Sequence, residues 1–479
     1  MSQVSRGFIW SAAERFSVQG ISFILSIILA RIVSPSSYGL IVMIQVFISF
    51  SQIFIDGGFA NALIQKKDRT DIDYYTAFIF NMAVAVGIYI IMYVTAPLIA
   101  DFYEEPQLIR ITRIVSLNLI LSSLSIVQRT RLTINLDFKT QTKAGLLAVI
   151  ISGIVGVVCA YSGMEVWALV IQGLLCQAIT SGALMYYSRW APKMRFSGSS
   201  FKGLFSYGSR LLANNLLTSL YLNIYNLVIG KKYTSEDLAF YNRAYTLSLF
   251  PSVNLAEILN RVIFPILTSV QDDREKLKEN YFRYLHLSNY IILPIMCIIL
   301  VLAHPLIEVV LTDKWLPMVP FLQIFCINFM FYPLMLQAGN PVAAIGHVGI
   351  LLKFQFLKRG VSFLILIITI SMGIPAICIG MVISSLFETL INVYILKREI
   401  GIGYWEQIKS QFDVVAISAG MCGVVYLLTL LTANAYVQLF GGTALSIILY
   451  TAATYLFKVE EREYITRYCT MAWNWLRRR

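Results

Sequence analysis

With 58% hydrophobic residues, 13% charged residues and a net charge of +12 over 479 residues, the chain cannot close around one water-excluding core without leaving a large apolar surface, which excludes a soluble globular protein. Its mean hydropathy of +0.71 makes lipid the solvent for that surface. Apolar runs of about 20 residues recur between short polar turns, long enough to cross a hydrocarbon layer, and helices satisfy their own backbone groups, so the fold class is an all-α integral membrane bundle.

About fourteen transmembrane helices are predicted. The first spans about 7–31; it is too long for a signal h-region, carries Glu14 and Arg15, and is followed by no small-residue cleavage pattern, so it stays as a span. The next five are expected near 38–65, 76–98, 112–134, 142–162 and 164–188, and six more near 201–230, 238–268, 284–311, 316–345, 348–373 and 375–397. Two final spans lie near 410–432 and 437–457, ahead of a basic tail, 458–479, that ends in Arg477, Arg478 and Arg479 and suits an anionic leaflet. An even count puts both termini on one side. Of the 38 Lys and Arg, 28 fall on that side, 6 on the other and 4 deeper in spans, so the positive-inside rule makes both termini cytoplasmic. Trp10, Trp167, Trp190, Trp315 and Trp405 all sit near span ends, where indole rings prefer the membrane boundary. The seven cysteines are scattered singly without a CxxC pair and read as small apolar packing residues.

Two turns at an offset of 200 residues resemble each other. Ile32-Val-Ser-Pro-Ser-Ser-Tyr-Gly-Leu40 and Lys232-Tyr-Thr-Ser-Glu-Asp-Leu-Ala-Phe240 each close one helix and open another. Six helices separate corresponding points, so the halves share an orientation, and two pseudo-symmetric six-helix lobes are expected, 1–195 and 196–400, plus two additional helices within 401–457.

Polar stripes mark the first two helices of each half. A mid-helix charge costs about 2.5–3.5 kcal/mol on insertion scales, so such groups must face water, one another or a substrate. In helical register lie Ser11, Arg15, Gln19, Ser22 and Ser26 on the first helix, and Gln45, Ser49, Gln52 and Asp56 on the second. The seventh helix carries Ser206, Arg210, Asn214, Tyr221 and Tyr225, and the eighth Arg243, Asn254, Glu257 and Arg261. Guanidinium groups suit a phosphate or diphosphate, which they grip bidentately, and the amides and hydroxyls suit sugar hydroxyls. The candidate substrate site is therefore Arg15, Arg210, Arg261, Arg243, Glu14, Asp56, Glu257, Asn254, Asn214 and Gln52. Salt bridges such as Arg261 with Glu257 are the structural alternative. Gly57-Gly58 and Pro251 are expected bending points. His304 and Glu308 stand at i, i+4 as a candidate proton relay, and Lys353, Lys358 and Arg359 as candidates to line the cytoplasmic mouth.

Ala30-Arg-Ile-Val-Ser-Pro-Ser-Ser-Tyr-Gly-Leu40, Ala62-Leu-Ile-Gln-Lys-Lys-Asp68, Ala96-Pro-Leu-Ile-Ala-Asp-Phe-Tyr103, Tyr241-Asn-Arg-Ala-Tyr245, Phe264-Pro-Ile-Leu-Thr-Ser-Val-Gln-Asp-Asp273 and Asp313-Lys-Trp315 together resemble the Wzx-type polysaccharide-transporter flippases of the multidrug/oligosaccharidyl-lipid/polysaccharide superfamily. The match runs in order over about residues 6–360 and is closest to the lipopolysaccharide and exopolysaccharide exporter branch. The resemblance implies helices 1, 2, 7 and 8 lining a central cavity, and alternating-access export of undecaprenyl-diphosphate-linked repeat units across a bacterial inner membrane. It also implies a polysaccharide polymerase or export machinery as partner. The cationic cavity is carried over as a pattern rather than by matched positions. No cofactor, metal or nucleic-acid partner is expected. A drug/cation antiporter of the same superfamily is the main rival; it prefers an acidic, aromatic cavity, whereas four intramembrane Arg against three acids leave a net +1. A membrane sugar polymerase or ligase would carry a longer external loop than this chain has.

Overall fold

The computed structural model describes the backbone from Gln3 to Phe457 together with Val459, and side chains from Val18 onward. Glu14, Arg15, Ser11 and the tail from Glu460 therefore lie outside the described side chains.

The helices run α1 (Gln3–Ile32), α2 (Pro35–Gln65), α3 (Asp71–Tyr103), α4 (Leu108–Ile134), α5 (Phe138–Tyr161), α6 (Val166–Ser188) and α7 (Gly198–Lys232). They continue with α8 (Ser235–Ser269), α9 (Arg274–Val301), α10 (Asp313–Ala344), α11 (Val348–Thr369), α12 (Ile374–Ile400), α13 (Tyr404–Leu431) and α14 (Val437–Leu456), with a short helix, Ala303–Leu311, between α9 and α10. Among the described residues eleven of these are long and apolar enough to cross a membrane, with only 22–44% of each apolar window buried in the protein. Exposed apolar side chains such as Val94 and Leu98 are suited to face hydrocarbon. The other three are α1, represented in that reckoning by Val18–Ile32, α7 with its polar stripe, and α11 with Lys353, Lys358 and Arg359. Eleven spans and the shorter apolar stretch of α1 are consistent with the expected fourteen-helix pattern, and α7 and α11 are long enough to complete it but carry more polar residues.

The local chemistry explains several helix ends. Pro35 occupies the first turn of α2, where a missing N–H costs nothing. That turn is capped from a distance: the Ser34 amide, the Ser34 hydroxyl and the Ser37 hydroxyl all donate to Glu165 Oε2, at 3.1, 2.8 and 3.1 Å. Helix α2 breaks where expected, at Gly57 (φ 53°) and Gly58 (φ 73°), a left-handed step that side chains with a Cβ resist. Ahead of α3, Thr70 and Asp73 form a reciprocal capping box, and Lys66 reaches both Asp73 oxygens at 2.9 Å. The two related turns match in form: α1 ends at Ile32 and α2 starts at Pro35, while α7 ends at Lys232 and α8 starts at Ser235.

The chain forms two compact units, Met1–Ala239 and Phe240–Arg479. In the first, Trp190 stacks on Tyr75 with centroids 5.6 Å apart and packs against Tyr74 and Phe78, with the Arg131 guanidinium 5.3 Å from its centroid. In the second, Trp315 is wholly buried against Phe240, 5.9 Å away. Both indoles lie next to helix ends as expected, and each is covered there by aromatic partners rather than left exposed. Trp405, at the start of α13, is exposed as expected.

The last two helices are bound into the second unit by a polar ladder along α9. Lys278 pairs with Glu406 at 2.8 Å, Tyr281 donates to Gln407 at 3.2 Å, and Asn289 donates to Gln411 at 2.8 Å. His286 meets Asp413 at 3.0 Å. Tyr450 of α14 donates to the Tyr290 carbonyl at 2.8 Å. In a lipid environment, where apolar helices gain little by choosing one another over acyl chains, such bonds fix which helices associate.

Candidate functional site

Helices α2 and α7 pack backbone to backbone at glycines. A Cβ on Gly58 would lie 2.6 Å from the Gly208 carbonyl oxygen, and one on Gly230 would lie 3.4 Å from Met43 Cγ and 2.9 Å from the Tyr103 ring. At the turn into α8 the approach is closer still, since a Cβ on Gly39 would stand 1.7 Å from the Ser235 carbonyl oxygen; the hydroxyls of Ser36 and Ser235 meet at 3.3 Å. Small residues let spanning helices approach this closely.

The seam fixes where the polar stripes point. Gly208 and Gly230 lie about 40° apart around α7, whereas Ser206, Arg210, Asn214 and Tyr221 lie about 160–240° from Gly208 at 100° per residue. On α2, Gln45, Gln52, Ser49 and Asp56 lie about 80–140° from Gly39 by the same reckoning, on the flank of the glycine face. The α7 stripe thus turns away from the glycine contact, and the α2 stripe lies to one side of it.

Within the first unit, Arg210 and Asn214 are exposed, and among the described residues the Arg210 guanidinium has no hydrogen-bond or ion-pair partner. Asp56 is half-buried and accepts from the Ala60 amide, while its Oδ1 is buried without a partner. Gln52 accepts from the Ser122 hydroxyl of α4 at 2.9 Å, which ties it to the scaffold.

Within the second unit, α8 carries the remaining candidates. Arg261 is exposed and among the described residues makes no ion pair with Glu257, so the i, i+4 salt bridge weighed as its structural role is not formed. Arg243 lies over Trp315, 5.9 Å from the ring centroid. Asn254 donates back to the Phe250 carbonyl at 2.7 Å beside Pro251 inside the helix, and Ser252 donates to the Phe329 carbonyl of α10 at 2.9 Å; side chains thus bond backbone carbonyls around the proline. Glu257 stands within electrostatic reach of Tyr332, as does Glu388.

Lys358 is where the sequence reading goes astray. It does not line a mouth: its side chain is 7% exposed, 3.3 Å from Glu388 Oε1 and 3.0 Å from Asn392 Oδ1. Asn392 in turn donates to the Met335 carbonyl at 3.1 Å. A lysine stem long enough to reach an acid on the neighbouring helix is better served by that acid than by a distant boundary. Glu388 and Asn392, i and i+4 on α12, were the signal for this pairing. His304 and Glu308 do meet, at 3.6 Å, but both are exposed. In the first unit the reading also passed over Asn81 and Gln128, fully buried with both amide atoms unpartnered; single amides in apolar runs gave no stripe to notice. Among the described residues no group of three His, Cys, Asp or Glu could hold a metal ion.

Comparison with known proteins places this architecture. The model of a family described as polysaccharide biosynthesis protein matches residues 28–320. The lipopolysaccharide biosynthesis protein WzxC of Escherichia coli (strain K12) is 24% identical over 84% of this chain and 82% of its own length. The succinoglycan biosynthesis transport protein ExoT of Rhizobium meliloti (strain 1021) is 22% identical over 98% of this chain and 95% of its own length. The solved structure of the lipid II flippase MurJ in an inward closed conformation superimposes with a TM-score of 0.76 at 15% identity, covering 95% of this chain and 100% of that one. A fold shared over nearly the whole chain and a family model spanning more than half of it agree with the resemblance in the sequence: the chain belongs to the polysaccharide biosynthesis protein family of multi-pass membrane proteins.

Proposed function

We propose that the chain is a flippase that carries undecaprenyl-diphosphate-linked oligosaccharide repeat units from the cytoplasmic to the periplasmic leaflet of a bacterial inner membrane, for lipopolysaccharide O-antigen or exopolysaccharide synthesis. Both termini are cytoplasmic in this reading, and the lobes 1–195 and 196–400 alternate access to the substrate. Arg15, Arg210 and Arg261 grip the diphosphate, and Asn214 and Asn254 read the sugar. The observation that carries the reading is the pair of exposed guanidinium groups, Arg210 and Arg261, partnerless among the described residues on helices of spanning length. At about 2.5–3.5 kcal/mol per buried charge on insertion scales, they belong to helices that meet water or an anion there, and two relatives are named for lipopolysaccharide biosynthesis and for succinoglycan biosynthesis transport.

Arg261 supplies the test. Arg261→Ala is expected to abolish flipping in proteoliposomes at an unchanged melting temperature, and Arg261→Lys to retain part of it, because an ammonium cannot form the bidentate fork. In cells, depletion of the protein should accumulate the lipid-linked intermediate on the cytoplasmic leaflet. An Arg261→Ala protein that melts several degrees lower, and recovers both stability and transport when combined with Glu257→Gln, would move Arg261 into the scaffold and refute its assignment.

A further inference from the structure

A second cationic site lies outside the stripes. At the end of the second unit where Val270, Ile345 and Ile402 pack into one cluster, a cavity of about 410 Å³ opens between the start of α11 and the end of α12, lined by His347, Ile350, Lys353, Phe354, Arg398 and Glu399. That is within the roughly 300–1,000 Å³ of small-molecule sites.

The charges in it are not balanced. Its one carboxylate, Glu399, is engaged on both oxygens: Oε2 lies 2.6 Å from His347 Nδ1 and Oε1 lies 3.7 Å from Arg398 Nε. Among the described residues Lys353 has no hydrogen-bond or ion-pair partner, and the terminal nitrogens of Arg398 are likewise uncommitted. Counting Lys353 and Arg398 against Glu399 leaves +2 − 1 = +1.

The apolar surroundings identify what kind of anion fits. One turn along α11 from Lys353 are Phe356 and Leu357, and one and two turns back along α12 from Arg398 are Tyr394 and Leu390; all four are exposed. Phe354 and Tyr394 meet edge to face at 6.2 Å, holding the two helices together. Two cations therefore cap two adjoining columns of exposed apolar side chains, the arrangement of a headgroup layer above an acyl layer.

We propose that this cavity holds the phosphate of an anionic phospholipid, its charge between Lys353 and Arg398 and its hydrocarbon along Leu357, Tyr394 and Leu390. The site is separate from the stripe of α8 and does not depend on the flippase reading.

The test uses the full chain in nanodiscs of equal parts phosphatidylcholine and phosphatidylglycerol, with retained lipids measured by native mass spectrometry. The wild type should retain phosphatidylglycerol preferentially. Lys353→Gln and Arg398→Gln should each weaken that retention about five-fold and the pair about 25-fold, as follows from the worth of one basic residue at an anionic surface. Lys202→Gln, a basic residue of the first unit, should leave it unchanged, and Lys353→Arg should preserve it. Equal retention in the double variant, or an equal loss in Lys202→Gln, would overturn the proposal. So would displacement of the bound lipid by inorganic phosphate at concentrations that merely match the lipid, since a free anion would then satisfy the site without its hydrocarbon.

Discussion

Lys358→Met tests the buried pair of the second unit. At 3.3 Å and an effective dielectric of 20, the gross attraction between the Lys358 ammonium and the Glu388 carboxylate is about 5 kcal/mol, most of it offset by the cost of desolvating both ions. Removing one partner exposes that cost: with Lys358 7% and Glu388 17% exposed, an uncompensated carboxylate should destabilise the unit by about 3–5 kcal/mol. Methionine keeps most of the lysine's length and apolar stem, so the loss reports charge and not a cavity. Adding Glu388→Gln should recover most of the stability, because an amide facing Asn392 and a thioether leaves no buried ion. The assay is thermal unfolding of the purified variants in one lipid mixture, where Lys358→Met alone should melt several degrees lower and the double variant near the wild type. A Lys358→Met protein within about 1 kcal/mol of wild type, or a double variant no better than the single one, would refute the argument that this pair is desolvated and structural.

The glycine seam predicts that Gly39→Ala, whose Cβ would meet the Ser235 carbonyl at 1.7 Å, lowers folded yield far more than Gly87→Ala, which has nothing within 4 Å; equal yields measured by fluorescence size-exclusion chromatography would count against the close packing of α2. In a Cys-free background, single cysteines at Ser197 and Lys276 should react with an impermeant maleimide only from the cytoplasm and one at Glu104 only from outside, and the reverse labelling would invert the orientation. Export of an anionic diphosphate follows an inside-negative potential, worth about 2.3 kcal/mol per charge per 100 mV, so collapsing the potential in proteoliposomes should slow net flipping; unchanged rates would show that the charge movement is compensated.

Span positions were legible because the signal is collective: twenty apolar residues in a row outweigh any one exception, so every expected run overlaps an observed helix. The break at Gly57-Gly58 was legible too, because few other residues tolerate positive φ there. What was not legible were the partners of single amphipathic residues, because those partners are distant in sequence. Trp190 needed Tyr75 and Arg131, Trp315 needed Phe240 and Arg243, and Lys358 needed Glu388; none of these pairings has a local periodicity to reveal it. The anchoring of α13 and α14 was hidden for the same reason. Gln407, Gln411 and Asp413 look unremarkable until α9 presents Tyr281, Asn289 and His286 to them.

The stripes themselves are explained better by what they avoid than by what they touch. A helix as polar as α7 is poorly suited to lipid, and the usual remedy would be to hydrogen-bond its polar side chains to a neighbour. Here α2 and α7 associate through Gly58 and Gly208 instead, a contact of backbones that consumes none of the polar groups. Arg210 and Asn214, on the far side of α7, are therefore spared. Replacing the seam by a side-chain network would hold the helices as firmly but would commit those same groups to the scaffold. Glycine packing is thus the means by which a membrane helix can be both fixed in place and chemically available, and substitutions that loosen the seam are expected to perturb the presentation of Arg210 before they perturb its charge.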